Sequence, residues 1–96
     1  MNRKLLWWIF AVTRGGLVRA RIVRRLKERP YTTSQLAREL KLTYQDIRYH
    51  LKLLEEHGLI ESSNTSISLY FLTDKMEENW KEFMKIWEII EGLERK

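Results

Sequence analysis

One side of the segment 44–52 carries Tyr44, Gln45, Arg48, Tyr49 and Lys52; the other carries Ile47, Leu51 and, just beyond, Leu54. At helical spacing this is an apolar stripe opposite a face of long hydrogen-bonding side chains. Such side chains match the edges of nucleic-acid bases. The major groove of a duplex admits one helix and shows each base pair as a distinct pattern of donors and acceptors. Arg48 can pair bidentately with guanine and Gln45 with adenine. Tyr44 and Tyr49 suit thymine methyls or phosphates, and Lys52, farther along, the phosphate backbone. Upstream, Thr33, Ser34 and Gln35 open another helical segment and can offer hydroxyl and N–H donors to a phosphate. Thr43, at the turn between the segments, completes the candidate contact set. Each residue alone reads as an ordinary exposed side chain. Five on one face, after a tight turn and before a hairpin, favour DNA contact.

Other chemistries find little support. The chain has no cysteine, which removes disulfides, thiolate metal sites and cysteine nucleophiles together. No Ser/His/Asp set, glycine-rich phosphate loop or carboxylate pair with a plausible cleft is visible. Glu77, Glu78 and Glu82 read as a solvated helix face. No enzyme activity, cofactor or metal is therefore expected. The 96 residues suggest one domain with a modest core, which a dimer interface would help stabilise.

Five helices and a hairpin must position the candidate face. Residues 3–13 read as a first helix, apolar on most sides and closed by a left-handed turn at Gly15-Gly16. Its run Leu5 to Val12 faintly resembles a leader segment. It lacks a small-residue cleavage site and is far too short to span a bilayer, so it reads as a helix buried against protein. Residues 17–28 form a second helix with Val18, Ile22, Val23 and Leu26 inward. Arg19, Arg21, Arg24, Arg25 and Lys27 fill the other sides, one or two arginines touching phosphates and the rest pairing with acids. Arg29-Pro30 ends it, and Tyr31-Thr32 is a short extended piece. Thr33 or Ser34 caps the next helix, whose inner face is Leu36, Ala37 and Leu40. Lys41-Leu42 is the turn. Thr43 caps the helix that runs to His57, with Asp46 as the acidic half of a capping box, and Gly58 stops it. Leu59-Ile60-Glu61 and the alternating Ile67, Leu69 and Phe71 make a hairpin. Thr73 or Asp74 caps a last helix reaching residue 93, with Met76, Trp80, Phe83, Trp87 and Ile90 as a heptad-like seam.

Charge is divided along the chain. Residues 1–60 hold 13 Lys+Arg against 5 Asp+Glu, whereas residues 61–96 hold 5 against 8. A basic front and an acidic tail place one face toward a polyanion; the alternative is a merely solvated surface.

The stretch "SQLARELKLTYQDIRYHLKLLEEHGLI" resembles the core of ArsR-like winged helix-turn-helix transcription regulators, particularly small archaeal ones. The matching features are the S-x-x-L-A-x-x-L opening, the Leu42-Thr43 turn, the His50-Leu51 pair, and Leu54 followed by Gly58-Leu59-Ile60. The resemblance covers about residues 16–73. It implies a mainly α (α+β) fold: an N-terminal helix at 3–13, a winged-helix core at 16–73 and a C-terminal dimerisation helix at 74–93. It also implies a homodimer through the flanking helices; the aromatic seam could be intramolecular core, a dimer interface or a ligand pocket, and the favoured dimer reading puts Leu5, Trp8, Ile9, Trp80, Phe83, Trp87 and Ile90 at the interface. His50 falls in a family-typical position as a packed, hydrogen-bonded residue, and His57 near a helix C-terminus, so the pair is not expected to bind metal. Metal-sensing clusters of the family are absent. The wing departs from the usual pattern, because Ser62-Ser63-Asn64-Thr65-Ser66 holds no Lys or Arg. The expected partner is double-stranded DNA, read as an inverted repeat by a cytoplasmic dimer without membrane attachment. A protein-interaction module, a non-specific chromatin-like binder and a membrane-anchored regulator are the rival readings.

Overall fold

A computed structural model describes residues 1–63 and 65–94. Helix α1 spans Arg3–Trp7 and continues as a wider π-helical turn, Trp8–Val12. Next come α2 (Gly16–Glu28), α3 (Thr33–Leu40), α4 (Tyr44–Glu56), strands β1 (Ile60–Ser62) and β2 (Tyr70–Leu72), then α5 (Asp74–Glu78) and α6 (Trp80–Glu94). Helix–turn–helix followed by a hairpin is the winged helix-turn-helix fold, flanked here by α1 and by α5–α6.

One core joins all parts. Ile22, Val23 and Leu26 of α2, Leu36 of α3, and Ile47, Leu51 and Leu54 of α4 are buried together with Leu6, Ile9 and Phe10. The apolar stripe expected on α4 is thus the side that holds it. Val18 is only half-buried; Arg19 and Ala20 take the inner position instead.

Local chemistry sets the ends of the helices. Thr32, not Thr33 or Ser34, caps α3: its hydroxyl accepts from the Gln35 N–H at 3.1 Å, and the Gln35 side chain accepts from the Thr32 N–H at 2.9 Å. This reciprocal pair satisfies two donors that the first helical turn leaves open. Lys41 adopts the left-handed conformation (φ 56°) that ends α3, and Thr43 caps α4 by accepting from the Asp46 N–H. Gly58, at φ 73°, permits the turn after α4.

Gly15-Gly16 has a different role from the one expected. Neither glycine takes a left-handed turn. Gly16 is the first residue of α2, and a Cβ there would lie 2.4 Å from the Phe10 carbonyl oxygen. It lets α2 start against the backbone of the π-helical turn.

The hairpin is shorter and differently faced than its alternation suggested. Strands β1 and β2 pair antiparallel in the register Ile60↔Leu72, Glu61↔Phe71 and Ser62↔Tyr70. Tyr70 points into the core, while Ile67 and Leu69 are exposed in the loop. Tyr31 exchanges backbone hydrogen bonds with Tyr70, so the extended piece after α2 adds a third, one-residue rung. Asn64 lies outside the described residues.

The C-terminal segment is not one helix. Asn79 interrupts it between α5 and α6. Its aromatic seam packs within the chain: Phe83 meets Phe10 edge-on at 4.8 Å and Trp80 at 4.8 Å. Arg24 lies over Trp87 and Lys27 over Trp80. The placement of Ile9, Phe83 and Trp87 at a subunit interface is therefore corrected. They are 0, 0 and 8% exposed in the single chain, because the N-terminal helix with its π-helical turn and α6 use them against each other and α2. Arg3 and Glu82, 3.1 Å apart, tie the same two helices at the surface.

Candidate nucleic-acid interface

The residues singled out on 33–52 divide into three groups. Ser34, Gln35, Tyr44 and Arg48 line an open groove of about 510 Å³ with Thr33, Arg38 and the wing residues Ser66, Ile67 and Ser68. The N-terminal turn of α3, the first two turns of α4 and the wing therefore converge on one concave surface. Thr33 sits at its floor and is buried, and Gln35 spends its side-chain oxygen in the α3 cap. Thr43 is exposed but its hydroxyl accepts from Asp46. Gln45, Tyr49 and Lys52 are exposed on α4 outside this groove.

The exposure pattern of α4 carries the chemistry. Ile47, Leu51 and Leu54 are at most 1% exposed, whereas Tyr44 is 48% and Tyr49 64% exposed. The helix is anchored along one edge and presents a guanidinium, an ammonium, an amide and two phenols along the other. Arg38 belongs with this set, and sequence reasoning passed over it. It stands one helical turn after Ser34, so helical spacing from the cap was the available signal.

The wing is built from hydroxyls. Ser63 Oγ and Thr65 Oγ1 are 3.1 Å apart, Thr65 donates to the Ile67 carbonyl at 2.6 Å, and Leu69 N–H donates to Ser63 Oγ at 3.0 Å. These bonds shape the loop without a cation, and Ile67 is exposed on it.

Behind α4 sits a buried arginine. Arg19 is 2% exposed. Its Nε donates to the Ile9 carbonyl at 2.9 Å, its Nη1 lies 3.1 Å from His50 Nδ1, and its Nη2 donates to Thr13 Oγ1. Burial holds its pKa below the ordinary value. His50 is also held below its ordinary range, by burial first and the Arg19 charge second, against an opposing pull from Asp46. The expectation that the α2 arginines meet phosphates or acids fails for Arg19. Among the others, Arg25 Nε lies 3.3 Å from Glu39, an ion pair outside hydrogen-bond geometry, and Arg24 stacks on Trp87. Among the described residues no three His, Cys, Asp or Glu side chains converge as a metal site. No helix among them is long and apolar enough to cross a membrane.

Residues 18–63 match the model of a helix-turn-helix domain family. The chain has the winged helix-turn-helix fold, and the matched residues run from α2 through the first strand of the wing. No curated protein matches it in sequence. Among solved structures it is similar to Lactococcus lactis ZitR, wild type in complex with DNA. The identity is 27%, the TM-score 0.64, and the match covers 81% of this chain and 56% of that one. BldR, a transcriptional regulator from Sulfolobus solfataricus, matches with a TM-score of 0.72 at 19% identity, over 94% of this chain and 66% of that one. The adhesin competence repressor AdcR from Streptococcus pyogenes matches with 0.65 at 13% identity, over 81% and 61%. The last two likenesses are of fold alone. The chain spans 54–66% of the length of the ZitR chains it matches.

Proposed function

We propose that this protein is a sequence-specific double-stranded DNA-binding regulator, ArsR-like and of archaeal type. In this reading it acts in the cytoplasm as a homodimer of single-domain subunits. The carrying observation is the two-sidedness of α4, with a fully buried stripe behind and Tyr44, Gln45, Arg48, Tyr49 and Lys52 exposed in front. Arg48 and Gln45 read base edges in the major groove. Tyr44, Tyr49 and Lys52 complete the contact, and Ser34 and Arg38 hold a phosphate at the opening of α3. Thr33, Gln35 and Thr43 act indirectly, by fixing the caps that aim α3 and α4. The similarity to ZitR, solved in complex with DNA, supports the DNA-binding reading.

The dimer surface we favour is the apolar groove between the end of the N-terminal helix and α6. Trp7, Ala11, Val12, Leu17, Ile89, Ile90 and Leu93 line it. Val12, Ile89 and Leu93 are 71, 47 and 67% exposed, and large apolar side chains grouped at one surface favour burial by a partner. Of the residues first assigned to the interface, Ile90 lines this groove, Leu5 and Trp80 are half-buried elsewhere, and Trp8 points toward His57. In such a dimer two α4 helices enter successive major grooves about 34 Å apart.

The test is selection from a randomised duplex pool at moderate salt, followed by sequencing of the retained DNA. Enrichment of an inverted repeat with half-sites one helical turn apart supports the proposal. Retention without enrichment makes the protein a non-specific binder. No retention at low salt overturns the DNA reading in favour of a protein-interaction module.

A further inference from the structure

We propose that the cavity between the N-terminal helix and α4 binds a small amphipathic organic anion, with its carboxylate on Arg19 and its apolar body against Trp8, Val18 and Leu53. The cavity measures about 480 Å³ and is lined mainly by apolar surface. That volume lies within the range of roughly 300–1,000 Å³ typical of small-molecule sites.

Arg19 is buried, yet its three hydrogen-bond partners are a carbonyl, a hydroxyl and an imidazole, all neutral. Among the described residues no carboxylate pairs with it, and no Asp or Glu lines the cavity. A buried cation is costly unless an anion balances it. Arg14, exposed at the rim, adds a second positive charge.

Donor capacity points the same way. A guanidinium carries five N–H donors. Three are used, which leaves one on each Nη nitrogen for a planar acceptor. Gly15 keeps this end of Arg19 open: a Cβ there would lie 2.7 Å from Nη1 and 2.5 Å from His50 Cε1. The apolar wall then selects a ligand with a hydrophobic body over inorganic anions.

Tyr49 links the cavity to the other side of α4. It lines the cavity and is 64% exposed. A carboxylate on the free Arg19 donors sits beside His50, whose Nδ1 accepts from the same guanidinium. The ligand thereby bears on the orientation of α4; this regulatory consequence rests on the DNA-binding reading, whereas occupancy of the cavity does not.

The experiment is a heteronuclear NMR titration of the full chain, without DNA, with 1-naphthoate as probe and 1-naphthamide as its uncharged analogue. Expected are saturable shifts of the Trp8 indole and Gly15 amide signals, with the amide binding about tenfold more weakly or worse. Val18→Trp, which fills the cavity and leaves Arg19 intact, should abolish the shifts. Equal binding of the amide, shifts that persist in Val18→Trp, or no saturable shift in the wild type would each overturn the assignment. Because no duplex is present, failure here leaves the DNA reading standing, and failure of the duplex selection leaves this result intact.

Discussion

Arg19 Nη1 lies 3.1 Å from His50 Nδ1 and joins α2 to the exposed-faced helix α4. A guanidinium can only donate, so His50 Nδ1 must accept and the imidazole proton sits on Nε2. The same side chain donates to Ile9 and Thr13. The N-terminal helix, α2 and α4 therefore meet at one residue. A shift of the first helix is felt by α4 through two hydrogen bonds.

This contact sets a pH dependence. The imidazolium of His50 is disfavoured in the fold, so its folded pKa lies below the ordinary value of 6.5. The unfolded chain then takes up the proton first as pH falls. The stabilisation is fully present above the unfolded value and is lost as pH drops through it toward the folded one. Urea midpoints should hold constant above neutrality and decline from about pH 7 to pH 5.5. His50→Asn, whose amide oxygen can accept from Arg19, should flatten that decline. A wild-type midpoint that stays level over this range would show that the contact does not discriminate against the proton.

Arg48→Ala should lose about 1–3 kcal/mol of discrimination between the selected site and a single-base variant at the contacted position. Competition binding at fixed salt checks this. A uniform loss across all sequences would reassign Arg48 to the phosphate backbone, where Lys52→Ala is expected to act and to shallow the salt dependence.

Trp87→Glu should unfold the subunit rather than split a dimer. Trp87 is 8% exposed beneath Arg24, and the loss should be about 3–5 kcal/mol, read from denaturant melts. Ile89→Glu with Leu93→Glu alters exposed positions of α6. Sedimentation should then show a folded monomer where the wild type sediments as a dimer. If the double variant sediments as the wild type does, the proposed groove is not the interface.

Two glycines should respond in opposite directions. Gly16→Ala places a methyl 2.4 Å from the Phe10 carbonyl oxygen and should cost about 1–3 kcal/mol. Gly92 lies within α6 with nothing near its missing Cβ. Gly92→Ala should add about 0.5–1 kcal/mol by lowering the entropy of the unfolded chain and favouring helix. Thermal melts of the two variants give the signs directly.

Periodicity was legible wherever the elements are long and two-faced. The stripe Ile47, Leu51 and Leu54 is buried as its spacing required, and Thr43 and Gly58 punctuate α4 where their backbone chemistry suits. Short elements were read less well. The alternation put Ile67 and Leu69 in a strand of the hairpin, yet three-residue strands leave both in the loop. The α3 cap fell on Thr32 because Gln35 three positions on can close the reciprocal bond, which Thr33 and Ser34 lack.

Spacing along the chain determined that α4 is held by one edge and shows a polar, cationic face, because a 3.6-residue period assigns sides within a helix without reference to its neighbours. It could not say which neighbour covers an apolar seam. Phe83 and Trp87 have the same spacing whether they meet a second subunit or Phe10 and Arg24 of their own; only the packing of α6 on α1 and α2 decided for the latter. Nor does an arginine among arginines announce that it is buried. Arg19 is set apart from Arg24 and Arg25 by contacts from residues 9, 13 and 50, and that convergence exists only once the chain has folded.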